Sequence, residues 1–370
     1  MQKNGTMTRL FTFLCALIAI QWAQAQYEFT IEKDCRCTEV KNQQRTGTCW
    51  SFSTISFLES ELIRQGKGYY DLSEMYIVRN IYRDKARNYF LRQGKAQFGQ
   101  GSLAHDVIRA AAIAGLVPES VYPGKPKGVE QYDHTEMEAV LKAILDAVIK
   151  QQHPSQRWWQ VFDAALDTYM GPVPHTFEVE GITYTPQSFA QKLDIDPEAY
   201  VGLTSFTHQP WYTSFVLEIP DNYSNGAYLN VPIDELEQVV DYAIEHGFSV
   251  AWDGDVSEPG FSQKHGLAIV PKHPSDAMWT SPVEEVKVTQ ALRQKAFEQY
   301  QTTDDHLMHL VGIARDQHGK KYYVIKNSWG AVGPYQGYLY MSAPYFRLKT
   351  VSIFLHKDGL PPQLKERLSL

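Results

Sequence analysis

Four cysteines in 370 residues are too few for a disulfide scaffold. Positive charge is not in excess either. Against 42 Asp and Glu stand 35 Lys and Arg, a net charge of −7, so no basic footprint points to nucleic acid as a partner. No low-complexity tract and no repeat of 20–50 residues is visible, which excludes solenoids and tandem arrays. Sparse, charge-rich disorder is excluded by what is present: 44% hydrophobic and 21% charged residues, with 22 Tyr, 17 Phe and 8 Trp. The remaining class is a packed, enzyme-sized body.

The apolar run from Leu10 to Ile20 is eleven residues, well short of the roughly 20 that a spanning helix needs. Lys3 and Arg9 precede it, and Ala23-Gln24-Ala25 supplies a small-x-small cleavage site. Together they read as a Sec-type signal peptide over 1–25, with the mature chain starting near Gln26 in the periplasm or outside the cell and with no stable membrane insertion after cleavage. Cys35, Cys37 and Cys49 then remain. An odd number in an oxidising compartment leaves at least one free thiol. Cys35 and Cys37 read as small, half-buried side chains.

Behind Cys49, the residues Phe52, Ile55, Leu58 and Leu62 recur at helical spacing until Gly66 and Gly68. Cys49 thus falls in the first turn of a helix, where the dipole and free N–H groups favour a thiolate. Asp71-Leu72-Ser73-Glu74 opens a second helix, and Ser102 opens a third running to Gly115. Glu136–Lys150 and Arg157–Met170 read as amphipathic helices, and Phe177–Tyr184 as a hairpin turning at Glu180-Gly181. Strands follow at Phe248–Trp252, Gly266–Val270, His306–Ala314 and Lys321–Lys326. Helices first and strands last predict an α+β body.

A cysteine nucleophile needs a base within reach, and the base needs an orienting group. His306 begins one strand and Asn327 ends the next, so an antiparallel pairing sets them side by side. His309 follows at a spacing familiar from metal ligands, but residues three apart on a strand face opposite ways. No metal site and no cofactor is expected. Trp158-Trp159 reads as helix core in preference to a ligand platform.

The joint pattern of Gln43, Gly47-Thr48-Cys49-Trp50-Ser51-Phe52, His306 with Val311-Gly312, and Asn327-Ser328-Trp329-Gly330 resembles the papain superfamily of cysteine peptidases. In papain itself His and Asn follow the Cys by roughly 130–150 residues. Here a domain-sized insertion must lie between them. Tyr228–Ile233, Val250–Val256 and the run into Asp305-His306 are similar to the bleomycin hydrolase and aminopeptidase C branch. The resemblance implies a papain-like fold: a helical left domain over 26–124 carrying Cys49, a mainly helical insertion over 125–245, and a β-rich right domain over 246–370 carrying His306 and Asn327. It implies a Cys49, His306 and Asn327 triad with Cys49 and His306 as an ion pair. Gln43 and the Cys49 N–H would form the oxyanion hole, and Trp50 and Trp329 would serve substrate binding and shielding. Gly101 would pair with the substrate backbone.

Peptides are the implied substrates, and aminopeptidase action the implied activity. An open-cleft endopeptidase and an inactive peptide-binding homologue are the alternatives. A homo-oligomer, a hexamer, is implied by the resemblance alone. Three departures matter. The family's double glycine appears as Gly99-Gln100-Gly101, which makes Gly101 the residue carried over. Thr46 stands where the papain group carries a further cysteine. The chain also stops at Leu370 without the usual last segment of the branch, whose terminal carboxylate reads the substrate's amino end; either Leu370 still reaches the cleft or an acidic residue of the insertion takes its place.

Overall fold

A computed structural model describes residues 27–370, so the signal read at 1–25 lies outside the described residues. Strand β1 (Phe29–Asp34) leads into helices α1 (Cys49–Arg64), α2 (Glu74–Leu91) and α3 (Ala104–Ala114), and α4 (Thr135–Val148) and α5 (Trp158–Met170) follow. The stripe of Phe52, Ile55, Leu58 and Leu62 is buried as its spacing requires, yet so is every residue from Cys49 to Leu62. Helix α1 is therefore a central element and not an amphipathic surface helix. Several of its polar side chains find partners inside: Thr38 donates to Glu59, Ser51 to the Glu74 carbonyl, and Arg64 pairs with Glu61, whereas the hydroxyls of Ser53, Thr54 and Ser60 are buried without one.

Ser73 caps α2, its hydroxyl accepting from the Tyr76 N–H at 3.0 Å. The expected start of α3 at Ser102 is displaced by one residue. Leu103 takes the cap position, and Asp106 reaches back to the Leu103 N–H while also accepting from the Ser102 hydroxyl.

The hairpin of β2 (Phe177–Val179) and β3 (Ile182–Tyr184) turns at Glu180 and Gly181, both at positive φ, as a two-residue turn of this twist requires. Next come α6 (Pro186–Leu193), β4 (Tyr200–Thr204), β5 (Ser214–Val216), β6 (Ala227–Asn230) and α7 (Ile233–Glu245). The stretch 125–245, read as mainly helical, thus also supplies five strands, of which β4, β5 and β6 enter the main sheet. There β4 pairs with β13 (Thr350–His356), and β7 (Val250–Gly254), β8 (Phe261–Ser262), β9 (Leu267–Ala268), β10 (His306–Asp316), β11 (Lys321–Lys326) and β12 (Tyr338–Ser342) complete it. Its order is β5-β6-β4-β13-β7-β10-β11-β12-β9-β8, with β1 paired to the far half of β10. The remaining helices are α8 (Gln290–Glu298), α9 (Ala343–Lys349) and α10 (Pro362–Leu368).

Strand β10 is buried on both faces, which is why it reads as an almost unbroken apolar run. Leu307 and His309 face α1, whereas Met308 and Leu310 join the cluster built on Leu236, Val239, Val240 and Ile244 of α7. At about 1.5–3 kcal/mol for each large apolar side chain removed from water, the two helices clamp the strand and fix where its first residue sits. Leu364 and Leu368 of α10 belong to the α7 cluster, across the sheet from α1, and Leu370 is 40% exposed there. Residues 362–370 therefore do not enter the region around Cys49. Among the described residues no helix is long and apolar enough to cross a membrane.

Candidate active site

Cys49 opens α1, and no acidic side chain occupies the first turn to cancel the helix dipole. Because α1 lies against β10, the sulfur sits beside the strand's first residues, where the backbone N–H of Leu307 favours its ionised form. His306, the residue before, is buried, and its Nε2 lies 2.8 Å from Asn327 Oδ1. The Asn327 amide has one possible orientation. Its Oδ1 also accepts from the Ser328 N–H at 2.7 Å, and its Nδ2 donates to Gln263 Oε1 at 2.8 Å. The imidazole must therefore carry its proton on Nε2, which leaves Nδ1 as the basic nitrogen. The antiparallel ladder of β10 and β11 makes this meeting possible, with His309 opposite Lys326, the residue before Asn327.

Trp329 covers the pair, its ring centred 4.8 Å from that of His306 and packed edge-on against Phe261. His309 points the other way, its Nδ1 2.8 Å from the Ser56 hydroxyl, so the two histidines cannot share a ligand. Gln43 is buried; its Oε1 accepts from the Ser328 hydroxyl at 2.6 Å and its Nε2 donates to the Thr46 carbonyl at 2.7 Å. One amide hydrogen of Gln43 remains available. Trp50 is not laid open to a substrate. Its indole N–H donates to the carbonyls of Gly47 and Gln100, tying the turn before Cys49 to the Gly99-Gln100-Gly101 segment. Gly101 lies on that segment, under the carboxylate of Asp221. Cys35, Cys37 and Cys49 are all free thiols.

Burial dominates the electrostatics. It pushes the Cys49 thiol up to about 12, assisted by the negative field of Asp221, Asp304 and Asp253. It pushes the His306 imidazole down to about 4 against the stabilising Asn327 bond. The resemblance implies a thiolate–imidazolium pair at rest; burial in this enclosure works against both charges. The reason is that both groups are removed from water, with the charge of nearby Asp221 adding to the effect on the sulfur. Gln263 and Asp221 were not legible as site residues, since each comes from a loop with no local motif; Ser328 stood in the Asn327–Gly330 segment without a role of its own, which its bond to Gln43 supplies.

Comparison with known proteins gives a consistent picture. The family model described as "Peptidase C1-like family" matches residues 176–369, and that of "Papain family cysteine protease" matches residues 25–182. Aminopeptidase G of Lactobacillus delbrueckii subsp. lactis is 25% identical, the match covering 89% of this chain and 83% of that protein. Aminopeptidase C of Streptococcus thermophilus is 25% identical over 97% of this chain and 89% of its own. Among solved structures, that of PepW from Lactobacillus rhamnosis HN001 superposes with a TM-score of 0.72 at 17% identity, covering 92% of this chain and 84% of that one.

Proposed function

The chain belongs to the Peptidase C1-like family of the papain superfamily, and from that premise we propose that it is a cysteine aminopeptidase whose nucleophile is Cys49. The fold is the papain-like α+β fold. The observation that carries the reading is the hydrogen-bonded line from Gln263 through Asn327 to His306, whose chain neighbour Leu307 offers its backbone N–H to a cysteine at a helix N-terminus. Such a line can hold the proton on His306 Nε2 and present Nδ1 to the thiol.

In the proposed reaction the Cys49 thiol gives its proton to His306 Nδ1 as the sulfur attacks a peptide carbonyl carbon. The carbonyl oxygen becomes an oxyanion, received by the Cys49 N–H and the remaining Gln43 amide hydrogen. His306 then passes the proton to the departing amine nitrogen, which leaves a thioester. A water molecule, deprotonated by His306, attacks the thioester; the carboxylic acid departs and the proton returns to sulfur. No cofactor enters these steps. Trp329 keeps bulk water from the His306–Asn327 bond, which would otherwise compete for both partners.

Peptides are the proposed substrates, read from the amino end as the names of the aminopeptidase relatives suggest. A defined peptide should be trimmed residue by residue from its N-terminus. Its N-acetylated twin should be hydrolysed at least about tenfold more slowly, a difference of about 1.4 kcal/mol in the transition state. Mass spectrometry of the two digests measures this. Equal rates, or internal cuts in a folded protein, would favour an endopeptidase instead.

Export is proposed as well, on the strength of Lys3, Arg9, the Leu10–Ile20 run and Ala23-Gln24-Ala25. Expressed with its own leader in a Gram-negative host, the protein should be recovered outside the cytoplasm with a new N-terminus near Gln26. Recovery from the cytoplasm with the leader intact would overturn it.

A further inference from the structure

We propose that Asp221 is the group that receives the substrate's free α-ammonium, and that it closes the cleft to chains continuing past that point; this rests on the aminopeptidase reading above. The placement of Asp221 is unusual. A Cβ built on Gly101 would lie 1.9 Å from Asp221 Oδ2 and 2.4 Å from Oδ1, so the carboxylate rests directly on the glycine backbone. Any other residue at 101 would expel it. The backbone of Gly101 is where the resemblance places an extended substrate. A substrate strand and the Asp221 carboxylate cannot both occupy that space, so the carboxylate marks where a bound chain must end.

The carboxylate is held there by construction. Asp221 lies on the loop between β5 and β6, which Asn222 staples shut by donating to the Leu217 and Gly226 carbonyls and accepting from the Gly226 N–H. The loop is then pinned to α2 and α3. Tyr223 donates to Asp84 at 2.9 Å, Asn88 donates to the Tyr223 carbonyl, and Ser224 pairs with His105 at 2.8 Å. Gln97 orients the side chain by donating to Asp221 Oδ1 at 2.6 Å. Among the described residues Oδ2 has no hydrogen-bond or ion-pair partner. Lys85, the nearby buried cation, feels the Asp221 charge but gives its hydrogen bonds to the carbonyls of Gly99 and Gly101, stiffening that segment.

The charge around the sulfur agrees with a cationic ligand. Asp221 opposes ionisation of Cys49, and Asp253, 2% exposed, and Asp304, which hydrogen-bond to one another, add to the acidic surroundings. Carboxylates around a nucleophile oppose formation of a thiolate, which is costly unless something positive arrives with the substrate. An ammonium bound at Asp221 would offset that field as the peptide docks, coupling recognition of the amino end to activation of the sulfur. A blocked amino end brings no such charge and leaves the Asp221 carboxylate desolvated. Residues 362–370 lie on the α7 face and do not compete for this role.

The test is kcat/KM for a free peptide and its N-acetylated twin with the mature enzyme and with Asp221→Asn, which is nearly isosteric and keeps the Gln97 bond. Labelling of Cys49 by a thiol-reactive epoxide confirms that each variant is folded. The free-to-blocked ratio should fall at least tenfold in Asp221→Asn, with the free peptide slowed. In Asp221→Ala, which opens the space over Gly101, the blocked twin should also be cleaved faster. Asp304→Asn is the control and should leave the ratio within about threefold. If the wild type prefers the free peptide and Asp221→Asn keeps that preference, or if Asp304→Asn alone removes it, the assignment of Asp221 fails while the aminopeptidase reading stands. A wild type without preference removes both.

Discussion

Replacing Cys49 with alanine is expected to lower peptide hydrolysis by about 10⁶-fold, the scale on which loss of the nucleophile acts in hydrolases that work through a covalent intermediate. The substitution removes one sulfur atom from a site that is 7% exposed and leaves the α1 backbone, the Trp50 ties and the His306–Asn327 bond in place. Folding should hardly notice. The thermal midpoint should move by less than about 2–4 °C, the shift that a loss near 1 kcal/mol produces in a smaller domain of about 150–250 residues. Amine release from a defined peptide measures the first effect, and thermal unfolding the second. The comparison matters because a purely structural cysteine would give the reverse pattern, with the midpoint falling and activity falling only in proportion to the unfolded fraction. More than a trace of activity in a well-folded Cys49→Ala would remove Cys49 from the mechanism.

What could be read in the sequence was read through local rules. The start of α1 follows from a cysteine, a Trp and four apolar residues at helical spacing, and the 180–181 turn from Glu-Gly between alternating residues. The meeting of His306 and Asn327 follows from antiparallel pairing of two adjacent strands, which needs no knowledge of the rest of the chain. Contacts between distant segments were not legible. Strand β4 is five residues long and is recognised as a strand only by its partners β6 and β13, the latter some 150 residues later. The burial of the polar residues of α1 was not legible either, because Glu59 meets Thr38 and Leu72 only in the folded state. Asp221 and Gln263 carry no motif at all. Each becomes a site residue because a loop closed elsewhere sets it against Gly101 or Asn327.

Gln43→Ala is the second large effect, an expected fall in kcat of about 10²–10³, or about 2.7–4 kcal/mol of transition-state stabilisation. The geometry makes this a sharper statement than the motif alone. A donor aimed at a developing oxyanion is useful only if its direction is set before the charge appears. Here both ends of the amide are fixed, Oε1 by the Ser328 hydroxyl at 2.6 Å and one hydrogen of Nε2 by the Thr46 carbonyl at 2.7 Å, in a residue only 6% exposed. The second hydrogen can contribute without reorganisation. Alanine removes the donor and also strands the Ser328 hydroxyl and the Thr46 carbonyl, so some stability is lost as well. The two consequences separate in the kinetics. Loss of an interaction made in the transition state lowers kcat and kcat/KM together with KM nearly unchanged. Ser328→Ala offers the intermediate case, because it keeps the donor and releases one of its two restraints. It should slow kcat by about five- to tenfold, the scale of a single neutral hydrogen bond near 1 kcal/mol. An unchanged kcat in Gln43→Ala would leave the Cys49 N–H as the sole donor identified here and assign Gln43 to holding the turn before α1.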